Sequence, residues 1–363
     1  MAITERYLDV ELGTGANDGT SEADAWQTWA DAVAGLTAGQ RLNVKNPSSR
    51  FDVSGSAVFT TAGGSGAPVH IRGYDTTIGD GVAAQMENFR IQSSGDNMLI
   101  ESLDILNSDA SGQALIVMTG NNAQAYNSKL VTTQTTTTPR MIFIQTGGSV
   151  VNCYCEFGST GVTNASQGVI DITNGVAYAN IVRFTSMPGS GSPVAGIQIL
   201  SPIEHAASAI RNLVYADRDV MAGVNVCGIA CGDALATGDY GGYGVVNNTV
   251  DNFATGVYIY NRGGDGMVGT SAFVNNLITN TPQSFRAHSN GDAEVAMLVI
   301  VNNAYDGTVS GVVPIASRRI TADPFTDPDN QDFSLNSTSG GGEVCRARGA
   351  STHGTLDIGA IAA

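Results

Sequence analysis

The chain has 363 residues, of which 45 are glycine, and its 17 basic and 33 acidic residues give a formal net charge of −16. A hydrophobic content of 42% is enough for a real core, which argues against wholesale disorder. Lysine occurs only at Lys45 and Lys129, and no basic run exists, so we expect no nucleic-acid partner and no anionic membrane surface.

The first residues, Met1 to Tyr7, contain neither a basic segment nor an apolar one. This pattern predicts that the chain carries no signal peptide. No apolar run reaches the roughly 20 residues that a membrane-spanning helix needs.

One helix is predicted, from Ser21 to Leu36. Ser21 can cap its first turn with Asp24 three residues on, and Gly39 follows its end. The apolar residues that follow have helical spacing: Trp26, Trp29, Ala30, Val33 and Leu36. Because both tryptophans lie on one stripe, we expect this helix to cover an open end of the core.

The rest of the chain reads as short apolar strands separated by Gly, Asn, Ser and Thr. Asparagine recurs beside these strands, at intervals of about 25 to 36 residues, at Asn127, Asn152, Asn180, Asn212, Asn248, Asn276 and Asn303. A second strand series follows Gly112, Gly168, Gly196, Gly223 and Gly256. Two offset series that share one period of about 28 residues are internal repeats.

Such repeats predict an all-β parallel β-helix, in which each coil buries its apolar side chains only by stacking on its neighbours. The recurring asparagines are suited to a stacked amide ladder. We expect roughly eight coils between Asp104 and Asn303, with strands about 4.8 Å apart. A β-sandwich would show hairpins at a much shorter spacing, and a propeller would show a longer repeat.

The five cysteines, Cys153, Cys155, Cys227, Cys231 and Cys345, are odd in number and widely spaced. We expect them to be buried thiols that fill core positions.

Two terminal segments resemble right-handed parallel β-helix proteins of the pectate-lyase-like superfamily. The first runs from Tyr7 through Asn17-Asp18-Gly19-Thr20 and Trp26 to Val44, and the second from Ala322 through Asp332-Phe333 to Leu356–Ala360. The resemblance implies an N-terminal strand and capping helix at residues 1–45, coils at 46–320 and a closing segment at 321–363, in one structural domain.

The opening from Met1 to Tyr7 also resembles β-helix proteins of tailed bacteriophages. That resemblance implies a virion structural protein, either a capsid-surface decoration or a tailspike or fibre component. Such a protein would form a homotrimer, contact other virion proteins and host glycans, and assemble in the host cytoplasm without a signal peptide. An extracellular location is the alternative.

A second hypothesis is a polysaccharide lyase or glycoside hydrolase, and a third is carbohydrate binding without cleavage. A lyase of the pectate type needs calcium-binding carboxylates with an Arg or Lys base, and a hydrolase needs two carboxylates about 5 to 9 Å apart. We find no Arg-rich or Asp-His motif of the well-known pectate lyase families. The sequence predicts no cofactor except, at most, calcium.

The catalytic candidates are Asp217 and Asp219, which would project to the same side of an extended segment, and Arg262 in the next coil. Acids at Asp239, Asp251 and Asp265 lie in that coil as well. The alternative interpretation is a solvated turn. His205 and His288 are isolated and are expected to have no catalytic role.

The candidates for sugar binding are Tyr240, Tyr243, Tyr258, Tyr260 and Asp265, because aromatic side chains on one strand face can stack on sugar rings. These tyrosines could instead cover the core or meet a neighbouring subunit. Asp327, Asp329 and Asp332 could bind calcium, but an Asp-Pro turn is the preferred interpretation.

Overall fold

A computed structural model describes residues 3–12, 17–64, 66–108, 114–133, 140–158, 167–186, 194–201, 206–220, 226–232, 241–261, 270–289, 298–311 and 313–346. Within them, the first ten strands are β1 Thr4–Leu8, β2 Gln40–Lys45, β3 Phe51–Phe59, β4 Val69–Tyr74, β5 Ala84–Ser93, β6 Met98–Glu101, β7 Leu103–Asn107, β8 Ile116–Asn121, β9 Gln124–Tyr126 and β10 Lys129–Thr132. The next ten are β11 Ile142–Thr146, β12 Ser149–Val151, β13 Tyr154–Phe157, β14 Gln167–Thr173, β15 Val176–Tyr178, β16 Ile181–Phe184, β17 Val194–Leu200, β18 Ala206–Ile210, β19 Leu213–Ala216 and β20 Val226–Cys231.

The remaining strands are β21 Gly242–Val246, β22 Thr249–Asp251, β23 Thr255–Asn261, β24 Ser271–Val274, β25 Leu277–Thr279, β26 Gln283–Ser289, β27 Leu298–Val301, β28 Ala304–Tyr305, β29 Thr308–Ser310, β30 Arg318–Arg319, β31 Phe325–Asp327 and β32 Asp332–Leu335. The helices are α1 Trp29–Gly35, α2 Gly342–Cys345 and a short 3-10 helix at Pro328–Asn330. No helix in these described ranges is both long enough and apolar enough to cross a membrane.

The strands stack into three parallel columns, as the repeats predict. Sheet A contains β1, β2, β4, β6, β9, β12, β15, β18, β21, β24 and β27. A second sheet holds two columns that share β5, whose first half pairs with β7 and whose second half pairs with β8. We name these columns B (β3, β5, β8, β11, β14, β17, β20, β23, β26, β29) and C (β5, β7, β10, β13, β16, β19, β22, β25, β28, β30). Each coil runs from sheet A to column C and then to column B, so the predicted parallel β-helix is confirmed.

The predicted repeats correspond to particular strands. The strands at Gly168, Gly196 and Gly256 are β14, β17 and β23 of column B. Gly112 and Gly223 lie outside the described residues. Between Asp104 and Asn303 the described part of sheet A has seven strands, β9 to β27, one fewer than the roughly eight coils expected.

An asparagine ladder lines the corner between sheet A and column C. Its members are Asn180, Asn212, Asn248, Asn276 and Asn303, and each of the first four donates its side-chain amide to the Oδ1 atom of the next at 2.9–3.0 Å. Each member also donates to a carbonyl in the coil on the other side, at 2.8–3.0 Å. All five are buried, so the ladder satisfies polar groups that water cannot reach.

Asn127 and Asn152 do not belong to this ladder. The prediction that they form one series with the other five asparagines was wrong. They occupy the preceding corner position, where φ is 46° and 53°, and the ladder position behind them holds Ser128 and Cys153. Asparagine tolerates this left-handed backbone, so both adjacent corner positions favour the same residue type. Asn152 donates to Asn127 at 2.7 Å in a separate, exposed contact.

Helix α1 covers the N-terminal end of the core but begins later than predicted. Thr28, not Ser21, is the N-cap, and its hydroxyl accepts from the Asp31 backbone N–H at 3.1 Å. Trp26 instead pairs with β1, because its N–H donates to the Tyr7 carbonyl at 2.9 Å. The predicted capping role is confirmed, since Trp29 is buried with its ring centroid 4.5 Å from that of Phe89.

The closing segment folds back over the last coils on the outer side of column C. Strands β31 and β32 form an antiparallel hairpin. Ile320, Phe325 and Cys345 form a second apolar cluster with Leu277 and Ala304. Residues 347–363, which include the Leu356–Ala360 part of the family resemblance, lie outside the described residues.

Candidate functional site

The Asp217-Arg218-Asp219 motif ends β19 as a turn, in which the Val220 N–H donates to the Asp217 carbonyl at 2.9 Å. The predicted extended segment with both carboxylates on one side is therefore wrong. Asp217 accepts two hydrogen bonds from Arg183, from Nε at 2.9 Å and from Nη2 at 2.8 Å. Asp219 is exposed. The motif is therefore a turn, which was the alternative interpretation of the sequence.

Arg218 connects two carboxylates that are far apart in the sequence. Its Nη2 atom lies 3.3 Å from Asp251 Oδ2 and 3.0 Å from Asp323 Oδ2. Asp251 is only 1% exposed and accepts from Thr279 Oγ1 at 2.6 Å and Asn280 Nδ2 at 2.8 Å. Burial raises the pKa of Asp251 to about 6, although the Arg218 charge opposes this. Because Asp323 belongs to the closing segment, the contact fastens that segment to column C.

Other polar side chains on the outer side of column C are also held in structural contacts. Tyr154 donates its hydroxyl to Glu156 Oε2 at 2.6 Å, and Arg183 Nη1 lies 3.3 Å from the same oxygen. The Asp217 contact raises the pKa of Arg183. Tyr215 packs against Phe333 of the hairpin with ring centroids 4.6 Å apart. These contacts bind the coils to one another and to the closing segment.

The outer side of column B carries a row of side chains that is buried in its middle and partly exposed at its ends. We name as the B face the residues in consecutive register there: Val117, Phe143, Asp171, Gln198, Ala230, Tyr258 and Arg286. Its middle members are buried, with Asp171 0%, Gln198 1% and Ala230 2% exposed, although they lie outside the coil core. Phe143, Tyr258 and Arg286 are partly exposed. The B face therefore has two accessible ends.

At one end, the rings of Tyr258 and Tyr260 of β23 pack against each other at an angle of 38°, with centroids 4.0 Å apart. The guanidinium carbon of Arg286 lies 4.8 Å from the centroid of the Tyr258 ring. Tyr260 is buried, whereas Tyr258 is partly exposed. The predicted alternation of the two tyrosines on one strand face is confirmed. His288 is the backbone register partner of Tyr260 on β26, and the prediction that it has no catalytic role stays a prediction.

At the other end, Arg140 makes a second arginine–aromatic pair. Its guanidinium carbon lies 4.3 Å from the centroid of Phe143, and its Nε donates to Asp171 Oδ2 at 2.7 Å. The arginine neutralises a carboxylate that is fully buried. Each accessible end of the B face thus presents a cation against an aromatic ring.

The other predicted site residues do not join this group. Tyr243 lies inside the coil, 2% exposed and within the main core, so its ring is not accessible to a sugar. This placement matches the core role that the sequence left open. Tyr240, Arg262 and Asp265, together with Asp239 and His205, lie outside the described residues.

The described residues include no group of three His, Cys, Asp or Glu side chains that could hold a metal ion. The Asp327 to Asp332 segment is a turn around the 3-10 helix, in which Asn330 donates to Asp327 at 2.8 Å. The described residues therefore do not fit the calcium site that the family resemblance implies, and we assign calcium no ligands.

Arg286, Arg140 and Asp171 were not among the sequence candidates. Arg286 follows Tyr258 by one repeat period, and Asp171 follows Phe143 by the same interval. Because one repeat period corresponds to one coil, this spacing was the signal that would have placed each pair side by side. The strands around these residues are partly apolar and contain no sequence motif that indicates a site.

No family model and no curated protein matches this chain. Among solved structures, the chain is similar to the pectate lyase Pel9A, with 13% identity, a TM-score of 0.58 and coverage of 98% of this chain and 96% of that one. It also aligns with a rhamnogalacturonan lyase (14% identity, TM-score 0.48, 88% and 87% coverage) and with a mannuronic acid specific family 6 polysaccharide lyase from human gut microbiota (13%, 0.42, 79% and 78%). The fold is a right-handed parallel β-helix of the pectate-lyase-like type.

Proposed function

We propose that this chain binds an acidic polysaccharide at the Arg286–Tyr258 end of the B face and cleaves it by β-elimination. The observation that carries the proposal is the packing of Arg286 over Tyr258 beside Tyr260, on a partly exposed strand surface. The similarity of the whole fold to a pectate lyase supports a polysaccharide substrate. It favours the enzymatic hypothesis over the virion structural one.

The charge distribution supports an anionic ligand at this surface. The protein as a whole carries −16 and repels polyanions at long range. At the partly exposed end Arg286 gives local attraction, and the Tyr258 ring beside it provides a stacking surface.

The reaction breaks the C5–H and C4–O4 bonds of a uronate residue and forms a C4=C5 double bond. In the proposed arrangement, Arg286 pairs with the uronate carboxylate and stabilises the negative charge that develops when the C5 proton leaves. Tyr258 can carry out both transfers of this proton. As the phenolate it takes the C5 proton, and as the phenol it returns that proton to the departing O4. The tyrosine ends in its starting state.

Incubation with a panel of polyuronates tests the proposal. The panel includes polygalacturonate, rhamnogalacturonan and polymannuronate, and the new conjugated double bond is followed by ultraviolet absorbance. Arg286→Gln should lower product formation, whereas Arg211→Gln, which removes another arginine lying over a tyrosine, should not. Absence of both product and binding across the panel would contradict the proposal.

The expectations of a virion location, virion partners and a homotrimer stay predictions. Mass spectrometry of purified particles would test the first two.

A further inference from the structure

The accessible end of the B face continues past Arg286 onto the last strand of column B. Ser310 of β29 is the register partner of Arg286, and Arg286 is the register partner of Tyr258. Tyr258 and Arg286 are partly exposed and Ser310 is exposed, whereas Ala230, on the other side of Tyr258, is buried. A ligand that contacts Tyr258 can therefore extend over Arg286 and Ser310 but not over Ala230.

A second row of residues runs beside this one. Thr255, Gln283 and Thr308 are register partners on β23, β26 and β29, and exposure increases along the row from Thr255, which is 6% exposed, to Thr308. Cys227, the register partner of Thr255, packs with Tyr260 outside the main core, so the row lies on the same side as the B face. We name the accessible residues of both rows the exposed strip: Tyr258, Arg286, Ser310, Gln283 and Thr308.

The exposed strip contains one charged side chain, that of Arg286. Among the described residues no carboxylate forms an ion pair with Arg286, whereas Arg140 at the other end of the B face is paired with Asp171. The charge of Arg286 is therefore available to a ligand. One guanidinium can hold one carboxylate in a charge-assisted, bidentate contact.

The remaining polar groups of the exposed strip suit uncharged sugar residues. Within the described part of the chain, neither the Ser310 hydroxyl nor the Gln283 side-chain amide has a hydrogen-bond partner. Thr308 Oγ1 donates to the Pro282 carbonyl at 3.0 Å. A serine hydroxyl and a primary amide each donate and accept, which matches the hydroxyl groups of a neutral sugar. A carboxylate placed at Ser310 would meet no cation of the strip.

We infer that the substrate is a polysaccharide in which uronate residues alternate with neutral sugars, and not a homopolyuronate. This inference rests on the proposed function. One residue of an extended polysaccharide is about as long as one strand step, about 4.8 Å. With a uronate at Arg286, the next residue of the chain therefore lies at Ser310, among uncharged groups. Every further carboxylate also approaches a protein of net charge −16 without a cation to pair with.

Binding of three oligosaccharides of equal length to Tyr258→Phe tests this inference without consuming the ligands. They are an oligogalacturonate, the same compound with half of its carboxylates methyl-esterified, and an oligosaccharide of alternating galacturonate and rhamnose. By calorimetry, the alternating compound should bind about tenfold more tightly than the oligogalacturonate, or better. Esterification should recover most of the difference, because it removes charge and keeps the sugar.

Ser310→Arg in the same background places a second cation one strand step from Arg286. It should tighten binding of the oligogalacturonate by about fivefold or more and leave the alternating compound within about twofold of its value. Ser310→Gln is the matched control, because it adds a long uncharged side chain, and it should leave the preference unchanged. Circular dichroism confirms that the variants are folded.

Two results would overturn the inference and leave the proposed function standing. One is an oligogalacturonate that binds as tightly as the alternating compound, and the other is an equal effect of Ser310→Arg and Ser310→Gln. Absence of binding of all three compounds by the folded wild type and by Tyr258→Phe would overturn the inference and the proposed function together.

Discussion

Arg286 and Tyr258 are register partners on neighbouring strands of column B, and the arginine lies over the tyrosine ring at 4.8 Å. This contact leaves a cation at a partly exposed position of a strongly acidic protein. A cation over an aromatic ring contributes about 0.5–1 kcal/mol at an exposed site. The arginine is held in place before any ligand arrives, and a charge-assisted hydrogen bond to a carboxylate would add to the binding.

Arg286→Gln should weaken binding of an acidic polysaccharide by about 5- to 30-fold, because it removes a contact of about 1–2 kcal/mol. Affinity electrophoresis or calorimetry at two salt concentrations measures the effect. The salt dependence should fall as well, since one ion pair is lost. Equal losses in Arg286→Gln and the control Arg211→Gln would contradict a specific role for the B face.

Asn248→Ala should destabilise the fold by about 2–4 kcal/mol. The change removes the bond to the Ala209 carbonyl and leaves the Asn212 N–H, which donates to Asn248 at 3.0 Å, without its acceptor. Urea unfolding measures the loss. Asn330→Ala, at an exposed position, is the control and should change stability by less than about 1 kcal/mol.

Asp251 should make stability fall as pH rises from about 4 to about 6. Its pKa is raised to about 6 by burial, so the folded state holds a proton in this window that the unfolded state has released. Its contribution is complete below pH 4 and is lost as pH passes 6. The free energy of unfolding of Asp251→Asn, relative to that of the wild type, should therefore rise by on the order of 2–3 kcal/mol between pH 4 and pH 7.

Unfolding experiments at several pH values give this difference. Asp329→Asn, which removes an exposed carboxylate, should show no comparable change across the window. A constant difference between wild type and Asp251→Asn would show that Asp251 does not titrate in this range.

All five cysteines should resist a charged thiol reagent in the folded protein and react on unfolding. Each is buried, as the sequence predicted, and burial raises the pKa of Cys153 and Cys227 to about 12. Burial keeps the reagent away from the thiols, and the raised pKa lowers the fraction of thiolate, which is the reactive form. Both effects slow the reaction. Labelling followed by mass spectrometry counts the modified sites. Rapid labelling of a folded sample would contradict the described packing.

The repeat period was sufficient to predict the architecture, because stacking requires each coil to repeat the same inward residues. Asn248, Asn276 and Asn303 recur one repeat period apart, and all three are in the ladder. It was harder to predict which of the two adjacent corner positions each asparagine occupies. Asparagine is favoured both for the amide ladder and for a positive φ, so Asn127 could not be assigned by its residue type.

The candidate site was less predictable than the fold. Asp217 and Asp219 formed an attractive local motif, but local spacing does not show that β19 ends at Ala216 and turns. Arg286 and Tyr258 meet only because two coils stack, and that contact depends on register between coils. Tyr258 and Tyr260 were found because strand alternation alone places both on one side.

The most direct test of the proposed activity is the rate of double-bond formation from the polyuronate that the protein binds, measured for wild type and Tyr258→Phe. This change removes one hydroxyl and keeps the ring under Arg286. We expect binding to be retained and the rate to fall at least a hundredfold. A wild type that binds without forming the double bond, or a Tyr258→Phe variant with an unchanged rate, would contradict elimination at this site.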